Sequence, residues 1–284
     1  MDTKDEWIRS RTGIVERHLC GEESITDLAY QAAIHALEDS GCVASELDLI
    51  ICATITAEHT TPSMACMIQE RLGAKCPAFD LSAACTGFIY ALDVAAAYFA
   101  RDPQQKILVV GADAMSKLVD WKDRGTCVLF GDGAGAVVLG AGEDLLAIQL
   151  GAKGTADPLY AMAETGNCPF RPSISRKPYL VMDGKAVFRF AVTAMVQTVE
   201  AVLVQAGLSK EDLAYLLPHQ ANIRIIEAAL HRLKLPKEKC LVNINHYGNT
   251  SAACVAILLD EQSRAGHLHK GDLLALTAFG GGLT

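Results

Sequence analysis

Three short stretches carry side chains with the means to do chemistry. DLSAACTGFIYAL, residues 80–92, sets Cys85 among small residues directly ahead of an apolar, helix-period run. A thiol at a helix start meets unpaired N–H groups and the positive end of the helix dipole. Both favour the thiolate, and the thiolate is the nucleophile. LLPHQANIRI ends a buried apolar run on His219, and INHYGNTSAACVAIL places Asn249 in a glycine turn leading into another apolar run. Each of the three lies just past an expected strand, where parallel α/β sheets gather their ligands. A lone Cys or His reads as packing, but three such groups at equivalent sheet ends read as one site.

The elements that must position them follow from periodicity. Residues 25–37 repeat apolar side chains at helical spacing, closed by Gly41. Strand LDLIICATI (48–56) comes next, then a short helix around Met64–Leu72, strand PAFDLS, and a helix from Cys85 to about Arg101. KILVVGAD is a further buried strand. TCVLFGDGAGAVVLG reads as two strands around a glycine turn, followed by strand LLAIQLGA and a loop over 154–178. Then come helix Lys185–Gln205, strand LAYLLPH, helix Asn222–Leu233, strand LVNIN, helix Ser251–Ser263 and strand DLLALTAF. Such alternation predicts mostly parallel sheets covered by helices, in two similar halves, 1–144 and 145–284.

Composition bounds the function. A chain of 284 residues, 51% hydrophobic, has ample apolar mass for a large core. Lys and Arg number 25 against 33 Asp and Glu, a formal charge of −8, which argues against a nucleic-acid partner. The polar start MDTKDEWIRS is not a secretory signal, and the longest apolar run, between Lys106 and Gly111, is far short of a membrane span. Ten cysteines form no C-x-x-C and follow no metal spacing, so free thiols in a cytoplasmic compartment are expected and a metal is not. FGDGAGA lacks the G-x-G-x-x-G order and an acidic ribose partner, which argues against a dinucleotide. Asp80 and Asp132 read as structural carboxylates.

Six stretches in order, DEWIRSRTGIVERH, CPAFDLSAACTGFIYAL, DRGTCVLFGDGAGAVVL, LLPHQANIRII, YGNTSAA and AFGGG, resemble the β-ketoacyl-ACP synthase III family over essentially the whole chain. The resemblance implies a thiolase-like α/β fold with two mixed, mostly parallel five-stranded sheets in α-β-α-β-α layers. It also implies a homodimer that opens type II fatty-acid synthesis without a cofactor. Cys85 would take the acyl group from a short acyl-CoA, and malonyl-ACP would then lose carbon dioxide and attack it. His219 and Asn249 would donate to the thioester oxygen, with the N–H groups of Cys85 and Gly281 as oxyanion donors. An Asn at the third position separates this class from relatives that use His or Cys there. Trp7, Arg11 and Arg124 fall on CoA-binding positions, Phe130 and Phe279 on aromatics beside the site. Thr61 falls on the residue that closes the partner protomer's acyl pocket, where a small side chain suggests longer or branched primers. A starter enzyme of polyketide metabolism is the alternative reading, and a non-catalytic form another.

Acyl carrier protein is acidic, so an acidic enzyme needs a local basic patch. Residues 222–233 supply one, with Ile225, Ile226, Ala229, Leu230 and Leu233 on one face and Arg224, His231 and Arg232 on the other. Lys234, Lys237 and Lys239 extend it. Internal symmetry raises one departure. LLAIQLGA opens the second half, but MDTKDEW enters the first half on a loop with no such strand. The resemblance places that strand centrally in the first sheet and a further strand after AFGGG, so a row of unpaired backbone groups is expected.

Overall fold

The computed structural model describes residues 3–155, 157–162 and 179–284. Of the expected loop 154–178, residue 156 and residues 163–178, Cys168 among them, lie outside the described residues.

In chain order the first elements are α1 (Asp5–Thr12), α2 (Ile25–Ser40), β1 (Leu49–Ala53), α3 (Met64–Leu72) and β2 (Ala78–Leu81). Then follow α4 (Gly87–Phe99), β3 (Ile107–Ala114), β4 (Asp132–Leu139) and the small pair β5 (Leu159–Tyr160) and β6 (Val181–Met182). The chain continues with α5 (Gly184–Ala206), β7 (Tyr215–Pro218), α6 (Ile223–Leu233), α7 (Ile244–Tyr247), α8 (Ala253–Arg264) and β8 (Leu274–Thr277). Helix ends follow local chemistry. Ser24 and Asp27 form a reciprocal capping box on α2, Asn222 caps α6, and Gly13 and Gly41 end α1 and α2 in the left-handed conformation.

The first sheet runs β2-β1-β3-β4, parallel except for β4. Period-two alternation gives it two buried faces. Ile50, Cys52, Leu108 and Val110 pack on α2 and α3, while Leu49, Ile51 and Ala53 pack on α4 and α8. The parallel pair β7-β8 lies beyond α8, and α5 and α6 cover its far side. Helices α4 and α8 therefore sit between two sheets, the five-layer order expected.

Several expectations are corrected. Among the described residues the sheets have four and two strands rather than five each. No central gap opens in the first sheet, because β1 and β3 hydrogen-bond directly. DEWIRSRT is not loop but α1, seated on α6 where a Cβ on Gly13 would stand 2.8 Å from Ile223 Cβ. Among the described residues LLAIQLGA finds no strand beside it and remains irregular, leaving Leu145 and Leu146 exposed. LVNIN keeps one ladder bond to β7, Leu241 N–H to Leu216 O at 3.0 Å beside the Cys240 bridge. It goes no further as a strand because Asn243 and Ile244 donate their N–H groups to the Gln220 side chain. Of TCVLFGDGAGAVVLG only β4 is a strand, and Thr126–Leu129 is a turn. By length and composition α5 could cross a membrane, yet it lays Val187, Ala191, Val192, Met195, Val199 and Leu203 into the core.

Helix α8 is seated on bare backbone. A Cβ on Gly111 of β3 would lie 2.5 Å from the Ala252 carbonyl oxygen. Gly111→Ala is expected to cost about 1–3 kcal/mol through overpacking. A Gly140→Ala control, with nothing within 4 Å, should change the urea midpoint little.

Candidate active site

Cys85 sits where β2 hands over to α4. The chain turns through Ala84, held at φ 46, and one 3-10 turn, Ala84–Thr86, leads into α4. Gly87 lets this turn press on its neighbours, since a Cβ there would be 3.0 Å from Ala53 Cβ and 3.4 Å from Ala252 Cβ. The C-terminal glycine run closes on the same turn. A Cβ on Gly280 would stand 2.9 Å from Cys85 N, so Gly280 makes the tightest approach, while Gly281 lies against Leu159 and Ala84. The Gly281 N–H donates to no group among the described residues.

His219 follows β7, its N–H bound to the Thr277 carbonyl at 2.8 Å. The ring is 1% exposed, edge-on to Phe279 with centroids 5.3 Å apart, and its Nδ1 has no partner. Burial drops the imidazole to about 3, so it is neutral at physiological pH yet keeps one N–H. Gln220 fixes the turn behind it by donating to Pro218 O at 2.6 Å and accepting from Asn243 and Ile244. Asn249 is gripped through its backbone: its N–H donates to Leu129 O at 2.9 Å and its carbonyl accepts from Gly131 N at 3.0 Å. That clasp is an isolated parallel bridge between Asn249 and Phe130.

Asp113, at the end of β3, is the residue that sequence reasoning missed. Its carboxylate is wholly buried and accepts from Ile55 N (2.8 Å), Thr56 Oγ1 (2.9 Å), Thr54 Oγ1 (3.1 Å) and Ala252 N (3.2 Å). Burial raises its pKa all the same. The one signal available was an acidic residue inside the apolar run KILVVGADAM. Asp80 and Asp132 are structural, as expected. Asp80 accepts from Met64 N and Ala65 N at the start of α3, and Asp132 from Cys20 N and Ser116.

The expected thiolate at Cys85 is not the resting form. Burial pushes the thiol up to about 12, and Cys254 and Asp113 act in the same direction, so it is protonated at neutral pH.

A second cluster lies at the surface beyond Asn222. Trp7 and Arg11 share one face of α1, and the Arg124 guanidinium lies over the Trp7 ring at 5.3 Å. Arg11, Lys185, Phe188, Arg189, Asn222 and Arg224 line a cavity of about 500 Å³. Lys185 and Arg189, one turn apart on α5, were not singled out from sequence, although their i, i+4 spacing marks a common face. His231, Arg232 and Lys234 are exposed on or just after α6. Lys237 is paired with Glu227, and Lys239 turns inward onto the Glu211 and Leu213 carbonyls, so these two add less to the patch than expected. Thr61 is exposed on this protomer. Among the described residues no cluster of three or more His, Cys, Asp or Glu could hold a metal.

A profile described as 3-Oxoacyl-[acyl-carrier-protein (ACP)] synthase III matches residues 79–154, and its C-terminal counterpart matches 203–284. The chain is 50% identical to the β-ketoacyl-[acyl-carrier-protein] synthase III of Geobacillus kaustophilus, covering all of this chain and 89% of that one. The chain belongs to the β-ketoacyl-ACP synthase III family. The crystal structure of 3-oxoacyl-[acyl-carrier-protein] synthase III from Aquifex aeolicus superposes with TM-score 0.92 at 47% identity, over 99% of this chain and 89% of that one. A priming β-ketosynthase from the R1128 polyketide pathway superposes with TM-score 0.91 at 39% identity, over 99% and 86%. The fold is accordingly thiolase-like, and this synthase III chain is an acyltransferase of the condensing class.

The neutral His219 of this synthase III has a measurable consequence. Its folded pKa is lowered to about 3 from an ordinary 6.5, so between those values the unfolded chain binds the extra proton. Stability is therefore present above pH 6.5 and is lost as pH falls toward 3. From pH 7 to pH 5 the native chain should lose about 2 kcal/mol more than a His219→Gln variant, read by urea unfolding.

Proposed function

We propose that Cys85 is the nucleophile with which this chain performs the initiating condensation of fatty-acid synthesis. Supporting this reading is the setting of the thiol: a buried turn that places it beside the Gly280–Gly281 backbone. Cys85 sulfur attacks a short acyl-CoA, a thioester bond to the enzyme forms, and CoA leaves as the thiol. Malonyl-ACP then loses carbon dioxide, and the resulting carbanion attacks the acyl group to give 3-oxoacyl-ACP and free Cys85. No external cofactor is needed, because decarboxylation itself supplies the carbanion.

His219 and Asn249 donate hydrogen bonds to the malonyl thioester oxygen as charge builds on it. A neutral imidazole suits that role, since it donates without abstracting a proton. The N–H groups of Cys85 and Gly281 serve the oxyanion on the acyl-enzyme side. Trp7 stacks on the adenine, and Arg11 and Arg124 hold phosphate. Arg224, His231, Arg232 and Lys234 receive the acidic carrier protein. Residues 1–144 would supply the nucleophile and 145–284 the two donors. A homodimer in the cytoplasm completes the reading, with Thr61 reaching the partner's acyl pocket beside Phe130 and Phe279. Likeness to the R1128 priming enzyme favours a second reading, polyketide priming, which differs in primer.

Incubation with acetyl-CoA should add one acetyl group by intact mass, absent in Cys85→Ala. His219→Ala and Asn249→Ala should each keep this acylation while slowing condensation with malonyl-ACP about a hundredfold or more. Failure of the folded native chain to acylate with any of a panel of acyl-CoAs would overturn the assignment. On the gate, native protein should also accept octanoyl- or isobutyryl-CoA, and Thr61→Phe should lose these while retaining acetyl-CoA. Equal restriction to acetyl-CoA in both would refute a gate at Thr61.

A further inference from the structure

Ser251 opens the turn before α8 under two separate costs. Its backbone is left-handed at φ 52, where any Cβ is strained. Its hydroxyl oxygen is buried with no hydrogen-bond partner. The turn itself asks for neither, since glycine would adopt that φ freely and the Ser251 N–H is already satisfied by Asn249 Oδ1 at 2.9 Å. Unused groups held under strain mark positions where chemistry is done.

The next residue, Ala252, donates its N–H to Asp113 at 3.2 Å, and its Cβ stands 3.4 Å from where a Cβ on Gly87 would lie, two residues past Cys85. Ser251 therefore sits at the junction of the Cys85 turn and the Asp113 carboxylate, and it favours the charged form of both groups. We propose that Ser251 is a further residue of the reacting site, its unpartnered hydroxyl turning to donate to the Cys85 sulfur as the thiol gives up its proton. This goes beyond the proposed function and rests on it only in taking Cys85 as the nucleophile. The proton balance closes within that reaction. As the sulfur–acyl bond forms and the CoA carbon–sulfur bond breaks, the proton lost by Cys85 ends on the departing CoA thiolate. Ser251 keeps its own proton throughout.

The groups around Cys85 make such a donor necessary. Asp113 faces it from β3 and Cys254 from α8, and both oppose negative charge on the sulfur. His219, at the end of β7, is neutral. On the favourable side stand the Cys85 backbone N–H and, more strongly, the Ser251 hydroxyl.

The test uses Ser251→Ala and Ser251→Gly in the full chain, with iodoacetamide as probe and alkylation at Cys85 followed by peptide mass spectrometry. Exposed Cys66 is the internal reference. Both variants should alkylate at Cys85 about tenfold more slowly at fixed pH, the loss of one hydrogen bond to a charged group. Ser251→Gly should melt no lower than the native chain, because its backbone strain is relieved. An unchanged rate in the glycine variant would falsify the proposal, as would slowing in alanine alone, which would reduce Ser251 to a backbone role. Because the probe contains no CoA, a failure here is separable from a failure to acylate with acyl-CoA.

Discussion

The Asp113 carboxylate is the point on which the arrangement depends. It is fully buried, and a buried carboxyl is tolerated only if its oxygens are satisfied. Four donors supply that. Three come from the chain leaving β1, and the fourth, Ala252 N, comes from the start of α8. One carboxylate thus ties the first sheet to the helix that follows Asn249. The bare backbone of Gly111 on the same strand lets α8 come close enough for the bond to form.

Around this tie Cys85, His219 and Asn249 are fixed chiefly through backbone, Asn249 adding a side-chain bond from the Ser251 N–H to its Oδ1. Cys85 is held by the turn at Ala84 and the contact of Gly280. His219 is held by the β8 ladder continuing to Thr277 and by Gln220 behind it. Asn249 is held between Leu129 and Gly131. The His219 Nδ1 and the Ser251 hydroxyl are left without partners. A site built on fixed backbone and open side chains suits donors that must meet charge only as it develops.

Much of this was legible in the sequence. Cys85 and His219 each follow a hydrophobic run that does become a strand, β2 and β7, whereas the run before Asn249 does not, and α2, α5, α6 and α8 follow their helical periodicity. What was not legible depends on neighbours. LLAIQLGA has the composition of a strand, but a strand exists only against a partner, and among the described residues it has none. LVNIN lost the rest of its ladder to the Gln220 side chain, a competition invisible in propensity. DEWIRSRT became helix because α6 offers it a surface. The thiolate expected at Cys85 failed for an electrostatic reason: enclosure outweighs the favourable end of a helix. Asp113 was passed over because one acidic residue in an apolar run says nothing of the donors that meet it.

The bond from Ala252 to Asp113 spans 139 residues of chain. As the polypeptide leaves the ribosome, β1, β3 and their helices can assemble long before α8 exists, with the Asp113 carboxylate short of one donor and the face meant for α8 uncovered. The Cys85 turn is therefore made early and enclosed late. The turn after Cys85 packs Gly87 on both Ala53 and Ala252, so it too gains its second wall only when α8 arrives.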